Sequence, residues 1–222
     1  MAESMQPLDF GGARLLLDGR RALLWPAERT VVVSDLHLGK GQDFLRHGHL
    51  LPPYDALATL AHLHAMLSTL KPARVIALGD SFHRSNSLQH FSSTERRALD
   101  DCLELVPEWL WVLGNHDPEP PKELAGSVVT RWERQGITFR HELEGSITTP
   151  HVIGHYHPKA RIPAHRRKLS YPCFAWNDQL LIMPAFGSFT GGLKLDDPVL
   201  QKLLGDDVHY ACTAEDGVLV AC

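Results

Sequence analysis

The sequence predicts a layered α/β fold, and three observations carry that prediction. Three apolar runs, Thr30–Ser34, Arg74–Leu78 and Trp109–Leu113, read as strands buried on both faces, the first through three consecutive valines. Two helices separate them. Leu57, Leu60, Leu63, Leu67 and Leu70 recur at spacings of three and four within Tyr54–Leu70, and Thr94–Leu105 forms a second helix with Ser93 or Thr94 as N-cap. Hairpins close both ends: Ala13–Leu17 turns through Asp18-Gly19 into Arg21–Trp25, and His209–Thr213 turns through Asp216-Gly217 into Val218–Ala221. Further strands are expected near Ile137–His141, Val152–Ile153 and Leu180–Met183. The Pro- and Arg-rich stretch from Pro158 to Pro172 reads as a long loop.

A chain of 222 residues without repeats or a linker fits one domain, 1–222, with a proper core. The segment Met1–Phe10 lacks the features of a signal peptide, and no apolar stretch approaches the ~20 residues of a spanning helix. Cys102, Cys173, Cys212 and Cys222 form no C-x-x-C pair, so free thiols in a reducing cytoplasm are expected. The net charge of −4 argues against a general nucleic-acid coat protein. Its distribution says more: Gly145–Asn177 contains no Asp or Glu but holds Lys159, Arg161, Arg166, Arg167 and Lys168, a segment suited to attract a polyanion.

The three central strands run into polar residues of one chemical kind: Ser34-Asp35-Leu36-His37, Gly79-Asp80-Ser81-Phe82-His83 and Gly114-Asn115-His116-Asp117. Ligands of open α/β sheets bind beyond the carboxyl ends of the strands, so adjacent strands would bring these tips together. Arg140-His141-Glu142 and Gly154-His155-Tyr156-His157 follow two later strands. Each motif alone is weak; five in series are not. Asp35, His37 and His157 offer oxygen and imidazole donors to one divalent ion. Asn115, His141 and His155 offer an amide oxygen and two imidazoles to another, and Asp80 can bridge the two through its two carboxylate oxygens. This donor set suits manganese, iron, zinc or nickel better than calcium. Without metal, such a group would be costly to bury.

In order and kind, these five motifs resemble the calcineurin-like metallophosphoesterase superfamily. The resemblance implies a four-layer sandwich, two mixed β-sheets flanked by helices, around two divalent ions, with Mn2+ the leading candidate. His83, three residues after Asp80, is similar to the pattern of double-strand-break repair nucleases of that superfamily. Asp35-Leu-His-Leu-Gly-Lys40-Gly, Leu51-Pro-Pro-Tyr-Asp55 and Pro184-Ala-Phe-Gly-Ser-Phe189 resemble bacterial DNA ligase-associated PdeM-type phosphoesterases. That likeness implies a place beside an ATP-dependent DNA ligase and a helicase in the response to DNA damage.

The expected reaction is phosphodiester hydrolysis by a pair of metals. His116 is the expected general acid to the leaving oxygen, because it directly follows the ligand Asn115. Asp117 either orients that imidazole or caps the turn, and His83 contacts the phosphate. Lys40, Arg46, Arg161 and Arg166 are the candidate substrate contacts. His62 and His64 lie between the leucines of the first helix and should face solvent, His151 should be structural, and Phe174 and Trp176 should pack. The leading reading is a nuclease or phosphodiesterase acting on DNA or RNA. A small-molecule phosphohydrolase would use the same core, and a non-catalytic scaffold would be expected to have lost ligands that this chain retains.

Overall fold

The structure, a computed structural model, describes residues 5–41, 55–119, 121, 123–164, 167–188, 190–213 and 219–221. Two β-sheets lie face to face. In the first, β1 (Met5–Phe10), β2 (Ala13–Asp18), β3 (Ala22–Trp25), β4 (Thr30–Val33), β5 (Arg74–Leu78), β6 (Glu108–Val112) and β7 (Ser127–Val129) sit side by side in chain order. Pairing is antiparallel from β1 to β4 and parallel from β4 to β7. The parallel pairs β4–β5 and β5–β6 are each linked through a helix, α1 (Asp55–Leu70) and α2 (Ser93–Glu104), as parallel pairing requires.

The second sheet runs β15 (Leu219–Ala221), β14 (His209–Thr213), β12 (Arg167–Trp176), β13 (Leu180–Ile182), β10 (His151–Ile153), β9 (Ile137–Phe139) and β8 (Trp132–Arg134), with β11 (Lys159–Ala164) paired to β12. A third helix, α3 (Pro198–Leu204), covers its outer face through Leu200 and Leu204.

The two-sided burial expected of the central strands is realised residue by residue. Val31 and Val33, Val75 and Ala77, and Trp109 and Trp111 face the helices and meet Leu60, Leu63 and Leu67 of α1. Val32, Ile76, Leu78, Leu110 and Val112 face the other sheet, where Phe139, Val152, Phe174 and Leu181 meet them. Val152 faces inward and Ile153 faces α3, so β10 is covered on both sides as well. The order helix, sheet, sheet, helix is the four-layer sandwich that the motifs implied.

Several expectations need correction. The segment 158–172 is no loop: β11 and β12 form an antiparallel hairpin with Lys159 opposite Pro172 and Arg161 opposite Ser170. Its signal was an alternation, Lys159-Ala160-Arg161-Ile162, with Ala160 buried and Arg161 exposed. Pro163 and Pro172 mask that alternation, although a hairpin edge tolerates proline. The N-cap of α2 is Ser92, one residue before the expected pair. Its hydroxyl accepts from the Glu95 N–H at 3.2 Å and its own N–H donates to Glu95 Oε2 at 2.7 Å, a reciprocal capping box. Strands β1, β7 and β8 carry little periodicity and escaped the sequence reading. His62 and His64 are exposed, and His151 is buried with its ring against the Thr149 carbonyl, as expected. Phe174 is fully buried, and Trp176 is half-buried and stacks on His209.

Candidate metal centre

All five motif-bearing strands end on the same rim of the sandwich. β4, β5 and β6 are parallel neighbours in one sheet, and β9 and β10 are parallel neighbours in the other. Backbone bonds lock the turns that follow them. The His37 N–H donates to the Asp80 carbonyl at 2.9 Å, His83 N–H to the Leu38 carbonyl at 3.0 Å, and Gly154 N–H to the His141 carbonyl at 3.0 Å. The rim is tight enough that a side chain at Gly154 would collide with Ser34 Oγ and Asp35 Oδ2, and one at Gly114 would collide with Asp80.

Backbone conformation marks the same residues. Among the described residues nine non-glycines have positive φ, and five of them are Asp35 (54°), His37 (45°), Asp80 (46°), His155 (69°) and His157 (47°). Left-handed backbone at a non-glycine costs of order 1–3 kcal/mol and persists where the surroundings over-determine it. Here it folds the ends of β4, β5 and β10 inward, so that the side chains converge rather than follow the strands outward.

The side chains form two clusters. Asp35, His37 and His157 place one donor atom each within 4.8 Å of one another, and so do Asp80, His141 and His155. In the first, His157 Nε2 lies 2.9 Å from Asp35 Oδ1 and 3.4 Å from His37 Nε2. In the second, His155 Nδ1 lies 3.2 Å from His141 Nε2, and Asn115 Oδ1 lies 3.0 Å from His141 Nε2 and 2.9 Å from His155 Nδ1.

Asp80 stands between them. Its Oδ1 accepts the His116 backbone N–H at 2.9 Å, while Oδ2 lies 3.4 Å from His141 Nε2 and 3.9 Å from His37 Nε2. This alters the sequence expectation: one carboxylate oxygen, not two, faces both clusters, because the other is held by the backbone.

These groups are deeply placed. Asp35 is fully buried, and Asp80, His37 and His141 are nearly so. Burial disfavours the Asp35 carboxylate, yet the His157 hydrogen bond and the neighbouring imidazoles hold its pKa below the usual range. Burial likewise opposes charge on both members of the Asp80–His141 pair, but their mutual attraction wins, lowering the acid and raising the imidazole. His37 is pulled down to about 4, chiefly by burial. The neutral His155 form is favoured by burial, against the pull of Glu142.

Two pairs of imidazole nitrogens thus face each other at 3.2 and 3.4 Å beside two ionised carboxylates. Nitrogen and oxygen lone pairs converging on two buried points fit divalent cations that take imidazole and carboxylate.

Around this core, His116 lies at the mouth with 42% of its side chain exposed and Nε2 4.0 Å from Asp80 Oδ2. Its Nδ1 is 3.2 Å from the His83 carbonyl, and its ring stacks on that of His83 at 5.4 Å between centroids. The carbonyl can only accept, so Nδ1 carries the proton and Nε2 is left to face the centre. Asp117 takes the turn-capping role. Its Oδ1 accepts from Gly114 N–H at 3.1 Å and Oδ2 from Phe82 N–H at 3.0 Å, tying two motifs together, so its oxygens are committed to backbone amides and not to the His116 ring. Burial pushes its pKa up to about 6.

Lys40 is half-buried beside the first cluster, its pKa lowered by burial against the attraction of Asp55. Arg161 is exposed on β11. Arg46 and Arg166 lie outside the described residues.

Two supports were missed in the sequence, though each adjoins a residue singled out there. Ser34 Oγ donates to Asp35 Oδ2, and Glu142 Oε1 lies 3.6 Å from His155 Nε2, on the far side of that ring from the cluster. Carboxylate or hydroxyl partners of this kind fix the orientation of metal-binding side chains.

Comparison with known proteins agrees with this geometry. Residues 28–187 match the model of the family described as calcineurin-like phosphoesterase. No curated protein matches the chain. Among solved structures, the Pseudomonas putida nuclease MPE is similar, with a TM-score of 0.74 and 28% identity over 94% of this chain and 96% of that one. With well over half of its length matched and two clusters of metal-binding side chains on the rim, this chain belongs to the calcineurin-like phosphoesterase family and is a metal-dependent phosphoesterase.

Proposed function

We propose that the protein is a two-metal nuclease or phosphodiesterase whose substrate is nucleic acid, DNA foremost. The observation that carries this reading is Asp80 Oδ2, a single oxygen facing both donor clusters, with the His116 ring on the open side of the same oxygen. Asp35, His37 and His157 would hold one ion, Asn115, His141 and His155 the other, and Asp80 both. Mn2+ is the preferred ion, with iron, zinc and nickel as the alternatives the donor set allows. Such a pair of ions would supply Lewis acidity toward the phosphate and activation of the attacking water.

The chain's own residues supply the rest. Asp35 and Asp80, kept ionised, provide the negative charge that retains the cations. His116, its Nδ1–H held by the His83 carbonyl, would act as general acid in its doubly protonated form, passing the second proton from Nε2 to the leaving oxygen and keeping the one on Nδ1. His83 backs the His116 ring by stacking and shares the phosphate side of the mouth. Asp117 sets the loop that presents His116. Lys40 and Arg161, with Arg46 and Arg166, are the proposed phosphate contacts beyond the centre.

The nucleic-acid substrate is supported by the likeness to a protein described as a nuclease and by the acid-free basic hairpin that begins two residues after His157. A place in DNA repair beside an ATP-dependent ligase and a helicase rests on the sequence resemblance. Action in the cytoplasm is supported by Cys102, a buried thiol outside any disulfide, and no helix among the described residues is long and apolar enough to cross a membrane.

The test is purified protein charged with each divalent metal in turn and offered single-stranded, duplex and nicked nucleic acid alongside small phosphodiesters. Manganese-stimulated cleavage of nucleic acid that disappears in Asp80→Ala is expected. Hydrolysis of the small diesters alone would move the assignment to a small-molecule phosphohydrolase.

A further inference from the structure

A trough leaves the metal centre on the side away from the basic hairpin. Its inner part, a hollow of about 440 Å3, is lined by Asn115 and His141 of the second cluster together with Arg131, Arg140 and Glu144. The same Arg131, Arg140 and Glu144 line a second hollow of about 510 Å3, which continues past Arg134 toward Thr138 and His151. Each hollow is large enough for a small molecule, and two in series suit a chain better than a single diester.

Arg140 stands where they join, directly before His141. Its backbone N–H is fixed to the Val152 carbonyl at 3.1 Å, and only 14% of its side chain is exposed. The guanidinium pairs with Glu144, whose side chain is 83% exposed, yet its Nε is buried with no hydrogen-bond partner among the described residues. A buried donor left unmade is costly, and an exposed carboxylate is a weak competitor for its partner. A phosphate in the trough would satisfy Nε and the neighbouring amino group together, the bidentate fit that arginine offers. Farther out, Arg131 and Arg134 sit on the rim, more than half exposed and held by Glu133 at 2.9 Å and Glu28 at 3.0 Å.

We propose that this trough carries the nucleic-acid chain on one side of the scissile bond, with Arg140 gripping the phosphate adjacent to it and displacing Glu144. The proposal rests on the nuclease reading above. It makes Glu144 a built-in competitor, so the two members of one ion pair should act in opposite directions on substrate binding.

The experiment compares the manganese-loaded wild type with Arg140→Gln, Arg131→Gln/Arg134→Gln and Glu144→Gln, on a single-stranded oligodeoxynucleotide and on bis(4-nitrophenyl) phosphate. The rim pair is exposed, so the double variant keeps the test alive if Arg140→Gln fails to fold. Both arginine variants should raise KM for the oligonucleotide about 10-fold or more, and by a factor several times larger than for the small diester. Their dependence of log KM on log salt should flatten by about 0.7 for each phosphate contact removed. Glu144→Gln should lower KM for the oligonucleotide. Equal changes on the two substrates, an unaltered salt dependence, or a raised KM in Glu144→Gln would overturn the trough assignment. A wild type that cleaves oligonucleotide with variants that fail these expectations sinks the trough alone. A wild type that hydrolyses only the small diester sinks the nuclease reading with it.

Discussion

The two sheets contribute unlike chemistry to one rim. The first supplies both carboxylates, Asp35 and Asp80, with His37, and buries all three almost completely. The second supplies His141, His155 and His157, of which the last two are partly open to solvent. Neither sheet completes a cluster, because each group of three donors draws on both. The centre is therefore a seam: the anions and His37 come from the turns after the parallel strands β4 and β5, and the other three imidazoles from the turns after β9 and β10. A cation held by either cluster would take donors from both sheets, and Asp80 is the residue that faces both clusters.

The most severe test of the seam is its shared oxygen. Asp80→Ala should abolish the donor common to both clusters and cut phosphodiester hydrolysis by roughly 10³-fold or more, above the usual loss for a single electrostatic contact. It should also lower the metal content found by elemental analysis, and a variant retaining full activity would break the two-sheet picture. His116→Ala comes next. It lies outside both clusters, so kcat should fall by about 10²-fold while the bound metal stays at wild-type level. Loss of metal in that variant would mean that the mouth and the seam are not separable.

Removing the ions tests the structural half of the comparison. A ligand at 100 times its Kd stabilises by about 2.7 kcal/mol, and in a chain of this size each kcal/mol is worth ~2–4 °C. Chelation should therefore lower the thermal midpoint by roughly 5–10 °C, as calorimetry would record. No shift would mean that the sheets do not depend on what lies between them. The smallest effects set one support against the other. Ser34→Ala releases Asp35 on the first sheet, and Glu142→Gln releases His155 on the second. Each should weaken metal affinity by about 10-fold, measured by titration with Mn2+. Because Asp35 is fully buried and His155 partly exposed, Ser34→Ala should be the more damaging; the reverse order would shift the weight of the site to the second sheet.

Legibility followed the same division. β4, β5 and β6 announced themselves through Val31-Val32-Val33, Val75-Ile76 and Trp109–Val112, since strands buried on both faces leave continuous apolar runs. The residues that follow them were found for that reason. β9 and β10 are three residues each, too short for a period of their own, and were caught through His141, His155 and His157 beyond them. The hairpin β11–β12 was misjudged because proline and arginine hid its alternation, and the edge strands β7 and β8 left no run to see. Ser34 and Glu142 stood beside named residues, but adjacency in sequence does not reveal whether a side chain faces its neighbour.

The sequence by itself determined the α/β class, the five ligand-bearing motifs and their chemical kind, because hydrophobic periodicity and donor chemistry are local properties. Tertiary structure alone decided how those motifs combine. It brought the two donor groups suggested by the motifs onto one rim, left only Oδ2 of Asp80 to face both clusters by committing Oδ1 to the His116 amide, and turned Asp117 from the imidazole to the backbone. It also opened the trough past Arg140. Those outcomes depend on left-handed strand ends and on two sheets meeting across a common core, and no spacing within the chain encodes the distance between them.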